Sequence, residues 1–270
     1  MCYSMINNKV MTDTVQQYQS NPVLIEAVRS SINRQYVVAE EDCINLPIAE
    51  ASTTHYIVSG KRSFEAAKCY QGKKVAVLNF ANNHSIGGSP FSSGAQEESL
   101  CRCSTLYPCL QAMNDKFYRK HKRQYEHGEM NYMGNDDLIY TPDVVVFKTD
   151  ERTIPICPVM MPTNEWYKVD VITCAAPELW RGNAIPPDYE ALITRRIKRI
   201  LDVAAKENVE VLILGAWGCG AFKNPSEVVA RVFFSLLRNY NFQTVEFPLS
   251  SSDDVSHSVF AQCCDEYQKQ

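Results

Sequence analysis

The chain lacks several features, and each absence narrows what it can be. No apolar stretch approaches the roughly 20 residues that cross a bilayer. The longest runs, such as Val144 to Phe147 and Val211 to Leu214, are strand-sized, so a soluble protein with no membrane partner is expected. The N-terminus, MCYSMINNKVMTD, has no apolar core of a secretory signal. The 11 cysteines form no CxxC pair, and Cys and His do not cluster at zinc-ligand intervals. Free thiols in a reducing cytoplasm are therefore expected, without a metal or a disulfide framework. Charge of one sign is not in excess: 27 basic residues face 31 acidic ones, for a net charge of −4. Nothing global attracts a polyanion or a membrane surface, so any anion site must be local. Internal repeats, low-complexity runs and Gly-, Ser- or Pro-rich linkers are also missing, which favours one compact unit.

What is present reads as a layered α/β protein. With 270 residues, 45% of them apolar, the chain can bury a substantial core. Lys74 to Phe80, Val144 to Lys148, Lys168 to Ala175, Val209 to Leu214 and Thr244 to Pro248 are short and β-branched and read as buried strands. Tyr189 to Asn208 carries Leu192, Ile193, Ile197, Ile200, Leu201 and Ala204 at helical spacing, and Pro225 to Arg238 reads likewise, with Asn224-Pro225 as the start signal. Alternating strands and helices imply a parallel or mixed sheet. Residues 1–60 read as a mainly helical N-terminal extension, and residues 61–270 as the functional domain.

Two loops follow predicted strands, where α/β sheets place their ligands. The first, Asn79 to Leu106, holds Asn82, Gly87-Gly88 and a Ser- and Gly-rich stretch before Gln96-Glu97-Glu98 opens a helix. It is either a ligand loop whose glycines admit an anion to backbone N–H groups or a surface turn whose acids suit the helix dipole. The second, Leu214 to Pro225, is LGAWGCGAFKNP. Its glycines are spaced GxxGxG, which is neither the dinucleotide fingerprint nor, lacking Lys-Ser/Thr, a P-loop. It can cradle a diphosphate at a helix N-terminus or serve close packing. Trp217 and Phe222 within it either cover a ribose or base or close the core. Neighbouring helical residues point about 100° apart, so Glu97 and Glu98 cannot both face one atom, and one acts while the other supports.

Asn79-Phe80-Ala81-Asn82, Gly87-Gly88, Gln96-Glu97-Glu98 and Gly215 to Phe222, in this order, resemble the microbial type of poly(ADP-ribose) glycohydrolase, a macrodomain family. The resemblance spans roughly Arg62 to the C-terminus. It implies a three-layer α/β/α macrodomain-like fold with a mixed central sheet, and an ADP-ribosyl glycohydrolase that needs no cofactor or metal. Glu98 would be the catalytic acid/base, and Glu97 would orient the departing ribose, which Asn82 contacts. Gly87, Gly88 and Gln96 would line the substrate, Gly218, Cys219, Gly220 and Ala221 would hold the diphosphate, and Phe222 would pack on the distal ribose. Val171 to Pro177 resembles the family's passage near the adenosine. The substrate would be ADP-ribose on another ADP-ribose, on a protein or on nucleic acid, and the protein would act as a monomer. The alternatives are a reader that binds without cleaving and a hydrolase specific for modified nucleic acid. A triphosphate-dependent transferase is disfavoured.

Departures from the family pattern are Ser89, followed by Pro90, in place of a third glycine, and Lys223 where glycine is common. The segment Lys116 to Arg123, with five basic residues in eight, is either a polymer-tracking surface or a solvated face. His84 is a ligand contact or a turn residue in solvent, and Cys219 a reactive thiol or a space-filling side chain.

Overall fold

The computed structural model describes residues 3–44, 46, 54–150, 158–180, 182–250 and 254–268. Two helices come first, α1 (Tyr3–Ser20) and α2 (Pro22–Arg34), broken at Asn21-Pro22, where Asn21 caps α2 and Pro22 supplies its first residue. β1 (Tyr36–Val38), β2 (His55–Ser59), α3 (Ser63–Lys68) and β3 (Val75–Ala81) follow, then α4 (Gln96–Cys103) and α5 (Leu106–Ala112). A π-helical turn over Asn114–Tyr118 runs into α6 (Arg119–Glu126). The rest is β4 (Leu138–Val146), β5 (Tyr167–Ala175), α7 (Tyr189–Lys206), β6 (Val211–Ile213), α8 (Ser226–Leu237), β7 (Thr244–Pro248) and α9 (Asp254–Gln268).

The strands form one mixed sheet in the order β1-β4-β5-β3-β6-β7-β2, with β4 antiparallel to both its neighbours. Both faces are covered, as the near-continuous apolar strands require. In β3, Val75 and Val77 join the cluster that holds Phe64 of α3, Leu100 of α4 and Leu110 of α5. Ala76 and Leu78, pointing the other way, join Ile197 of α7, Phe233 of α8 and Phe260 of α9. The result is a three-layer arrangement with β3 near the middle.

Residues assigned to the helical extension also contribute β1 and β2, the two edge strands of the sheet. Helices α1 and α2 pack on the end of β4 through Tyr18, Leu24, Val145 and Phe147. Lys148, 2% exposed, ties α1 down by donating to Val10 O and Thr14 Oγ1. β4 begins six residues earlier than the β-branched run Val144 to Lys148 suggests, because Pro142-Asp143, which reads as a loop, is a β-bulge with Asp143 at φ 55°. No helix among the described residues is long and apolar enough to cross a membrane.

Candidate active site

Parallel pairing of β3 with β6 puts the loops after their carboxyl ends side by side, although more than a hundred residues separate them in the chain. Both contribute to one cleft of about 510 Å³. One wall is the second loop from Gly218 to Lys223, and the other includes Gly94, Ala95, Gln96 and Ser99 at the start of α4. Phe80 and Leu249 close the floor between them.

The acidic pair sits at the first turn of α4. Glu97 is 3% exposed and both its oxygens are occupied: Asn79 Nδ2 donates to Oε1 at 3.1 Å and the Asn82 N–H to Oε2 at 2.8 Å. Burial nonetheless dominates and pushes its carboxyl up to about 8, with the charge of Glu98 adding to the effect. A helix N-terminus favours the anion by at most about 2 kcal/mol, roughly 1.5 pK units, so it cannot offset this desolvation. Glu98 is 8% exposed; Ser89 N–H donates to its Oε1 at 3.1 Å, and its Oε2 carries no hydrogen bond among the described residues.

The first loop is folded directly onto these carboxyls. Gly88 has φ 66°, and an added β-carbon would overlap Glu98 Oε1. Gly87, at φ 64°, lies against Cys101 and Tyr107, each 2.9 Å from where a β-carbon would stand. Asn82 Oδ1 accepts the N–H groups of His84 and Ser85, both at 2.8 Å, so only its amide nitrogen is left for a ligand. Asn82, Gly87, Gly88, Glu97 and Glu98 do not line this cleft, whereas Gln96, Gly218, Cys219, Gly220, Ala221 and Phe222 do. The Gln96 amide is engaged with the scaffold: its Oε1 accepts the Phe80 N–H, and its Nε2 donates to Leu78 O and Ser63 Oγ. It locks α4 to β3.

Several residues that shape the site carry no local sequence signal. Arg102 on α4 donates to Pro90 O and Ser93 O, and Asn7 on α1 donates to Ser92 O and Ser93 O, which fixes the far half of the first loop. Arg62, paired with Asp150 at 2.8 Å, and Ser99, which donates to the same carboxylate, build one cleft wall. Asn224 was expected to start α8. Instead Pro225 occupies the cap, and the Asn224 side chain donates to Pro177 O and Gly218 O and accepts from Tyr189, pinning the second loop closed. Asn7 with Ser92, Arg62 with Asp150 and Asn224 with Pro177 join segments distant in the chain, and the shorter links from Arg102 to Ser93 and from Asn224 to Gly218 cross irregular loops, so no spacing rule exposes them.

Of the ambiguous features, Trp217 is fully buried with Nε1 donating to Cys174 O, and it closes the core. Phe222 is half-buried and faces the cleft. The basic segment forms α6 and the turn before it; of its cations Arg119 pairs with Asp115, Lys122 with Glu126 and the half-buried Lys120 with Asp137. Its inner side braces the first loop: His121 Nδ1 lies 3.3 Å from Asn83 O, its Nε2 lies 2.8 Å from Asp137, and the Tyr125 ring sits 5.0 Å from that of His84. His84 is thus half-buried against an aromatic rather than free in solvent. Lys223 has φ 61°, a region that costs a residue with a β-carbon about 1–2 kcal/mol. No group of three or more metal-ligating side chains occurs among the described residues.

The comparisons agree with one another. Poly(ADP-ribose) glycohydrolase (PARG) from Thermomonospora curvata shares 25% identity with this chain, covering 95% of it and 98% of the relative with a TM-score of 0.81. The same enzyme bound to the inhibitor ADP-HPD gives 26% identity, the same coverage and a TM-score of 0.78. The Deinococcus radiodurans PARG in complex with ADP-ribose gives 27% identity, 88% and 97% coverage and a TM-score of 0.76. No curated protein matches the sequence. Residues 8–149, from within α1 to just past β4, match the microbial-type PARG catalytic domain. With that match over more than half its length, the chain belongs to the microbial-type poly(ADP-ribose) glycohydrolase family of glycosidases.

Proposed function

We propose that this protein hydrolyses the glycosidic bond of ADP-ribose with Glu98 as acid/base. The observation that carries the assignment is the asymmetry of the pair: Glu98 keeps Oε2 free of hydrogen bonds among the described residues, while Glu97 has both oxygens occupied. A neutral Glu98 carboxyl protonates the leaving oxygen or nitrogen as the C1 bond breaks and the ribose takes on oxocarbenium character. The resulting carboxylate then takes a proton from the water that attacks C1. Glu97, held by Asn79 and Asn82, orients the ribose. In this reading Asn82 contacts that ribose, Gly87 and Gly88 approach the diphosphate on one side, and Gly218 to Ala221 hold it on the other. Phe222 packs on the distal ribose.

Because the Gly88-Ser89 turn lies on Glu98, substrate reaches the carboxyl only when that turn shifts. Binding energy from the adenine and diphosphate supplies this shift and positions C1. The three-layer sheet is read as a macrodomain, with residues 1–60 as an N-terminal extension whose helices α1 and α2 pack on the catalytic body. The protein acts as a monomer in the cytoplasm on ADP-ribose attached to ADP-ribose, protein or nucleic acid. One observation favours a reader instead: neither glutamate lines the cleft. Release of ADP-ribose from automodified polymer, mono-modified protein and modified DNA separates the readings. Cleavage of at least one substrate is expected, and binding without release from all three identifies a reader.

A further inference from the structure

We propose that Lys223 is a cationic anchor for the substrate's diphosphate, a specificity residue that selects charged diphosphate esters over the neutral nucleoside. The inference rests on the ADP-ribose reading above and extends it to a residue outside the glycine motif. Three non-glycine residues among those described adopt positive φ: Asp143, Asn208 and Lys223. Asp and Asn tolerate this region because their short side chains hydrogen-bond locally, and the first two sit at the bulge of β4 and after the last turn of α7. Lysine has no such compensation. A strained residue that the fold retains where glycine would be comfortable points to function.

The position is the rim of the cleft, directly after the Gly218 to Phe222 wall. The other cations in that wall are neutralised, Lys61 by Glu246 at 3.2 Å and Arg62 by Asp150 at 2.8 Å. Lys223 is exposed and makes no ion pair among the described residues, so it carries the unbalanced positive charge of the cleft. In a chain of net charge −4, an anion must be drawn by such a local charge. The loop itself does not depend on the ammonium: Asn224 pins it to Pro177 and Gly218, and Leu179 N–H donates to Phe222 O. Strain accepted without structural benefit is offset when the ammonium meets a phosphate oxygen.

Calorimetric titration of the full chain with ADP-ribose and with adenosine, at 50 and 500 mM NaCl, tests this. Lys223→Gln and Lys223→Gly are expected to weaken ADP-ribose binding about 5- to 20-fold at low salt and about 2-fold at high salt, because salt screens an exposed charge. Adenosine affinity stays unchanged, Lys223→Arg retains most of the wild-type affinity, and Lys223→Gly melts no lower than wild type. Equal ADP-ribose affinity of wild type and Lys223→Gln at low salt overturns the anchor while leaving the ADP-ribose reading intact. Failure of the wild type to bind ADP-ribose at all overturns both.

Discussion

Glu97 and Glu98 are neighbours in the chain and opposites in their bonding. Glu97 takes hydrogen bonds on both oxygens, from Asn79 and Asn82, and burial holds its carboxyl near 8, whereas Glu98 takes one, from Ser89, and keeps the other oxygen free. In the proposed mechanism the pair divides positioning from proton transfer, and that division can be tested from both sides.

Glu98→Gln removes the transferable proton but preserves shape and the acceptor for Ser89 N–H. ADP-ribose affinity should stay within a few fold of wild type, and turnover on automodified polymer should fall about 10²- to 10⁴-fold, the usual worth of general acid–base catalysis. Full turnover in this variant would remove Glu98 from the mechanism.

Glu97 should make stability depend on pH. Its folded pKa of about 8 lies above the ordinary 4.5, so the folded protein holds a proton that the unfolded chain releases between these values. Its contribution is intact below pH 4.5 and is lost as pH rises through 8. Glu97→Gln, which cannot ionise, should therefore gain in Tm relative to wild type from pH 5 to pH 9. A difference in Tm that stays constant across that range would show that Glu97 is charged throughout.

Gly88→Ala places a methyl group against Glu98 Oε1 at a positive φ. Both effects push the turn away from its seat, so the variant should lose Tm and most of its turnover. Gly94→Ala, in the same loop with open space around the added carbon, should lose little Tm. Thermal melts and release assays on the two variants, run together, make the comparison.

Asn224→Ala removes three buried hydrogen bonds and leaves the Tyr189 hydroxyl and Pro177 O without their partner, while Gly218 O keeps the backbone N–H of residue 224. We expect about 1–3 kcal/mol of lost stability and weaker ADP-ribose binding, since the second loop is no longer pinned. Denaturant unfolding and calorimetry measure the two effects, and unchanged binding would show that the loop holds its shape without this residue.

Much of the core was legible in the sequence because its pattern is local. β3 and β5 run within one residue of the β-branched stretches that announce them, and α7 and α8 follow their apolar spacing to within two residues. The edge strands β1 and β2 were not legible: they are three and five residues long and half exposed, too short and too mixed to carry a period. The candidate site motif was legible as residue types in order, yet Arg62, Arg102, Asp150 and Asn224 were not. Arg62 and Asp150 meet across the chain, Arg102 and Asn224 reach over irregular loops, and a single arginine or asparagine in a sequence does not name its acceptor.

Sequence by itself determined the layered α/β class, the two glycine loops and the family, because periodicity and motif spacing are properties of neighbouring residues. Tertiary structure alone decided that the loops share a cleft, that burial raises the Glu97 carboxyl, and that the first loop rests on both acids. Those outcomes depend on which strands pair and how much water each carboxyl loses. Pairing and desolvation are set by the packing of the whole chain, not by any short stretch of it.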